Sequence, residues 1–103
     1  MGLSYSGDRA DVNEIGYVSG PVTVGVTEVE AKVGGSALAG RQLLTITNNS
    51  IKDIYYGPSG VTITTGDVLK KGGQYVSLPV GPGVSVFLIS ADAGLNVRVQ
   101  EFS

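Results

Sequence analysis

Five tyrosines, two closely spaced glutamates and a glycine-spaced segment ending in arginine are the residues of this chain with chemistry to offer. Tyr55, Tyr56 and Tyr75 carry rings that stack on sugars or anchor a protein interface when exposed, and that serve as core or rim when covered. Glu28 and Glu30 stand two apart in an alternating stretch, which puts both carboxylates on one strand face, the arrangement paired acids need. With Lys32 next in the same series they read as a polar outer face. Gly35 to Gln42 has the glycine spacing of a phosphate loop. Arg41 and Gln42 stand where that loop wants Lys and Ser or Thr, and a strand-forming stretch follows where a helix is required, so the segment reads as a connection. Asp8, Asp11 and Glu14 are too sparsely spaced for a calcium loop. The chain has no His and no Cys, which excludes the common triads, thiolate zinc sites and imidazole bases. Its lysines fall at turns or on polar strand faces, a poor setting for a Ser-Lys nucleophile. The residues therefore imply a protein that is not an enzyme and that needs no cofactor and no metal.

The elements that hold these side chains read as short strands. Val, Ile and Thr together supply 28 of 103 residues and Gly another 16, a composition for pleated strands joined by tight turns. The stretch Arg41 to Tyr56 is the longest without Gly or Pro, and Asn48-Asn49-Ser50 inside it is a turn trio, so it predicts a central hairpin. Leu44, Ile46, Ile54 and Tyr56 would face the core, with Leu43 and Tyr55 implying that the second face is covered too. Val22, Val24 and Val26 alternate with polar residues, as do Val29, Ala31 and Val33 in shifted phase, which predicts a bulge or bend near Thr27. Further strands are expected at Val61–Thr64, at Tyr75–Val80 on an edge because Pro79 has no N–H, at Val84–Ser90 in a central place, and over Leu95–Gln100. About eight strands with turn signals between them predict an all-β, antiparallel β-sandwich, jelly-roll-like, spanning residues 21–103. Residues 1–20 read as an extended N-terminal arm, polar and glycine-rich, with Leu3, Tyr5, Ile15, Tyr17 and Val18 as candidate anchors for a partner.

Charge adds little. Nine acids against seven bases, with no basic stripe, argue against nucleic acid. No apolar run approaches the length that spans a bilayer, and the first residues lack the pattern of a secretion signal, so no membrane partner is expected.

The span from about Val24 to Glu101 resembles small virion proteins of tailed bacteriophages. The resemblance rests on Leu38-Ala-Gly-Arg41, Leu43-Leu-Thr-Ile-Thr-Asn-Asn-Ser50, Ile54-Tyr-Tyr-Gly-Pro-Ser-Gly-Val61-Thr62, Thr65-Gly66, Val76-Ser-Leu-Pro79, Val84-Ser-Val-Phe-Leu-Ile89 and Val97-Arg-Val99. It implies a β-sandwich component of the phage head, of the capsid-decoration or head-fibre kind, made in the host cytoplasm and carried in the virion. It brings no catalytic residues. By the same resemblance the partners are the major capsid protein or other virion proteins, together with self-association, a trimer being the expectation. A tail or neck component and a carbohydrate-binding host-attachment module using Tyr55 and Tyr56 are the competing readings.

Overall fold

The computed structural model describes residues 16–103, and within them the chain is all-β, without a helix. Eight strands run in order: β1 (Tyr17–Val24), β2 (Val29–Glu30), β3 (Leu43–Asn48), β4 (Ile54–Gly57), β5 (Asp67–Leu69), β6 (Gln74–Leu78), β7 (Phe87–Ile89) and β8 (Leu95–Phe102). They form two antiparallel sheets of four strands, ordered β1-β8-β3-β6 and β2-β7-β4-β5. The pairing is nested. β4 pairs with β5, β3 with β6, β2 with β7 and β1 with β8, so each step outward along the chain changes sheet.

Period-two alternation sets the interior. Val22 and Val24 of β1, Leu44 and Ile46 of β3, and Leu95, Val97 and Val99 of β8 pack against Ile54, Leu69 and Leu88 of the other sheet in one core cluster. Leu44, Ile46 and Ile54 are fully buried and Tyr56 packs against the same cluster, as the spacing implied. Pro79 lies just beyond β6, which forms a sheet edge, and β7 is central between β2 and β4.

Two expectations about the middle of the chain need correction. Arg41 to Tyr56 is not a hairpin: β3 belongs to one sheet and β4 to the other, and Asn48-Asn49-Ser50 turns the corner between them. The physical reason is Asn48, fully buried, whose amide donates to the carbonyls of Lys52 and Leu69 while its oxygen accepts from the Ser50 N–H and hydroxyl. A side chain that ties the turn to β5 cannot also let β4 fold back on β3. The phase shift near Thr27 is a bend, one of the two forms expected, where the chain leaves the first sheet for the second. The second correction is that Val61–Thr64 is a turn and the strand comes later, as β5. The Thr62 hydroxyl accepts from the N–H groups of Thr64 and Thr65, and the Thr65 hydroxyl accepts from the Thr62 N–H, so side chains occupy donors that a ladder would use.

The expected boundary at Pro21 also falls inside a strand. Tyr17 to Gly20 pair in register with Phe102 to Val99, so the sheet begins four residues earlier. Gly16 extends this closure: its N–H donates to Ser103 Oγ (2.6 Å) and its carbonyl accepts from the Ser103 N–H (2.9 Å). A Cβ at Gly16 would stand 2.7 Å from that hydroxyl oxygen, so glycine allows the close approach. The candidate anchors Leu3, Tyr5 and Ile15, and the acidic trio Asp8, Asp11 and Glu14, lie outside the described residues.

Candidate interaction faces

Two open sheet faces carry the side chains singled out by the sequence, and they differ in chemistry. Cross-strand register places Tyr17, Phe102 and Leu43 in one row on the outer face of β1-β8-β3-β6. The Tyr17 and Phe102 rings lie 5.0 Å apart, tilted by 31°, and Gln100 Nε2 donates to the Tyr17 hydroxyl at 3.0 Å. Further rows hold Ser19, Gln100, Thr45 and Ser77, then Pro21, Arg98, Thr47 and Tyr75. Hydroxyls and amides here bond one another across strands, Thr23 to Asn96 at 3.0 Å and Thr45 with Ser77 at 2.9 Å. Tyr75 is the most open ring, 67 % exposed, and Tyr17 follows at 54 %. Val18 points the other way from Tyr17 and is half-buried, so the two anchors proposed together are split by the pleat.

Tyr55 and Tyr56 are split in the same manner. Tyr56 turns inward against the core, while Tyr55 lies outward on β4 between Ile89 of β7 and Val68 of β5. They form no joint platform for a sugar ring. Above them, Val61 is buried over the glycines of the loop: a Cβ on Gly57 would meet Val61 Cγ2 at 2.9 Å, and one on Gly66 would meet Val61 Cγ2 and Tyr55 Cβ at 2.8 Å. Glycine at 57 and 66 thus lets the loop 58–66 lie down on β4. Glu28 holds that loop through Gly60, whose N–H it accepts at 2.8 Å, and Glu30 pairs with Lys32 at 3.4 Å. The two glutamates have separate structural partners.

Arg41 and Glu101 are the charged side chains enclosed by the fold. Arg41 Nη1 donates to Glu101 Oε1 at 2.9 Å, and both side chains are almost wholly buried. The rest of the guanidinium bonds the carbonyls of Val80, Gly81 and Val84, while the carboxylate accepts the N–H groups of Val33 and Leu38. Burial pushes the Glu101 carboxyl up, but those two N–H groups and Arg41 outweigh it and hold it below its ordinary value. The pair fastens the β2–β3 and β6–β7 connections to β8. Arg41 of the glycine-spaced segment is therefore part of the fold's fastening, and β3 follows it.

Sequence reasoning passed over Glu101, Phe102 and Arg98. A signal for Glu101 existed: Leu95, Val97 and Val99 alternate inward, and continuing that series by two places a carboxylate inside. Nothing local marked Phe102 as the neighbour of Tyr17, because the first strand pairs with the last. No cluster of three potential metal ligands and no pocket is found among the described residues. No family model, curated protein or solved structure matches the chain.

Proposed function

We propose that this chain is a non-enzymatic structural protein of a bacteriophage virion, a jelly-roll module that binds the major capsid protein as a decoration or auxiliary head protein and also contacts its own copies. The nested pairing of β1 with β8 through β4 with β5, divided between two sheets, supports the jelly-roll reading, since that is how a folded-over ribbon wraps into two interleaved Greek keys.

One observation carries the functional reading. Several of the segments on which the resemblance rests build the corners: Arg41 in the buried pair, Asn48 at the sheet-to-sheet turn, Pro58 to Val61 in the loop over β4, and Thr65-Gly66 in the threonine turn. They are shared requirements of a scaffold, and the side chains left facing outward include aromatic, apolar and hydroxylic ones. Such a scaffold acts by covering joints between capsid subunits. An interface of roughly 1,600 Å² per copy suffices, because many modest contacts add on one shell.

The test is to incubate the purified full chain with capsids lacking it and image them by electron cryomicroscopy. Density repeated at equivalent positions over the head supports the reading. Density confined to the tail axis makes the chain a tail or neck component. No density, with glycan binding that is lost on Tyr55→Ala, moves it to host attachment.

A further inference from the structure

Two turns at the end of the sandwich away from Gly16 and Ser103 form one block. The Ser50 carbonyl accepts the Gly72 N–H at 3.2 Å, the Asn48 carbonyl accepts the Gly73 N–H at 2.7 Å, and Asp53 Oδ1 accepts the Lys71 N–H at 2.9 Å. Ile51 stands on this block 78 % exposed, more than any other large apolar side chain described. Lys52, Lys70 and Lys71 belong to the same two turns and are exposed. Asp53 offsets one of these charges, at 3.8 Å from Lys70 Nζ, whereas no acid among the described residues lies within 4 Å of Lys52 or Lys71. Asp92, in the β7–β8 turn, is the other described acid at this end.

We propose that this block receives residues 8–15 of a second copy, with Asp8, Asp11 and Glu14 set against Lys52 and Lys71, and with Val12 and Ile15 beside Ile51. That segment carries three acids against Arg9, so its sign is opposite to that of the block. Reach decides whose segment it is. Register sets Tyr17 level with Leu43, so Asn48 stands about 20 Å along the strands from the level of Gly16, and two strands across, about 10 Å to the side. An extended chain spans roughly 3.5 Å per residue, so Glu14 stays within about 7 Å of Gly16 and Asp11 within about 18 Å. Glu14 cannot reach the lysines of its own copy, and Asp11 does so only with the chain pulled straight. A second copy with its lysine end laid against the Gly16 end meets all three acids. The contact joins unlike surfaces, so it builds a reciprocal pair or a ring of copies. It stands whether or not the chain belongs to a virion.

Exposed ion pairs are weak singly and are screened beyond about 10 Å at 0.1 M salt. The contact therefore forms at high concentration, or where copies are held together, and opens as salt rises.

Sedimentation equilibrium on the full chain from about 10 μM to 1 mM at low salt, joined to NMR, tests this. The expected mass rises above one copy and returns to one near about 1 M salt, with concentration-dependent shifts at Ile51, Lys52 and Lys71. Lys52→Glu with Lys71→Glu, and separately Asp11→Lys with Glu14→Lys, should melt like the parent and associate roughly tenfold more weakly. Mixed in equal amounts, the two variants should associate with each other, since every arm then meets an end of opposite charge. A monomer at every concentration, an association that ignores salt or either pair of reversals, or a mixture that stays monomeric would each overturn the proposal. So would shifts at Lys52 and Lys71 that follow salt but not concentration, the mark of a segment docked on its own copy.

Discussion

At the scale of single residues, the most consequential side chains are those that occupy backbone groups a strand would otherwise use. Asn48 is the clearest. Asn48→Ala takes the side-chain donor from the buried Leu69 carbonyl, while the Lys52 carbonyl keeps the Ser50 hydroxyl. An orphaned buried group costs ~1–3 kcal/mol, and a loss of that size is expected in chemical denaturation. Glycine makes a second, sharper comparison. Gly66→Ala sets a methyl 2.8 Å from both Tyr55 Cβ and Val61 Cγ2, with the Thr62 carbonyl at 3.1 Å, whereas Gly35→Ala meets nothing within 4 Å. The first should cost about 1–3 kcal/mol by overpacking and the second should be close to neutral, both read from the denaturation midpoint. The sequence names both, Gly35 in the glycine-spaced segment and Gly66 in the resemblance, but does not tell them apart, because a glycine under a loop and a glycine in open solvent look alike there.

Elements are where the sequence was most legible. Period-two alternation located β1, β6 and β8, Pro79 placed β6 at an edge, and the doubly apolar stretch around Leu88 placed β7 in the centre. It failed where side chains overrule β-propensity, at Asn48 and at Thr62, and where two strands adjacent in the chain belong to different sheets. Alternation reports one face at a time and says nothing about which sheet owns it. The Arg41–Glu101 pair was hidden because its partners are 60 residues apart. Its energetics are testable. Glu101 is depressed below its ordinary value of 4.5 when folded, so its contribution is complete above that value and is lost as pH falls through and below it. A stability–pH curve for the parent should therefore fall below about pH 4.5, and Glu101→Gln should flatten that fall while lowering stability at neutral pH. Arg41→Met strands a carboxylate among buried groups and should cost about 3–5 kcal/mol.

For the whole molecule, the boundary of the sheet decides what truncation does. Removing residues 1–15 leaves all eight described strands intact, while removing residues 1–20 strips half of β1 from its register with β8. Thermal melts should show a cooperative transition for the shorter deletion and a large loss of transition temperature for the longer one. The nested pairing has a further consequence, for the order of events when the chain folds. β4 and β5 are separated by a short loop, and each outer pair closes only the extra chain beyond the pair inside it. Closing the chain between the first and last strands directly costs more than closing it in steps after the inner pairs have formed. The ribbon should then zip from its middle outward. Substitutions such as Ile54→Val or Leu69→Ala would slow folding, and Val22→Ala or Val97→Ala would chiefly speed unfolding. Stopped-flow chevrons for the four variants would read that order directly, and a reversed pattern would place the nucleus at the β1–β8 seam where the two ends of the domain meet.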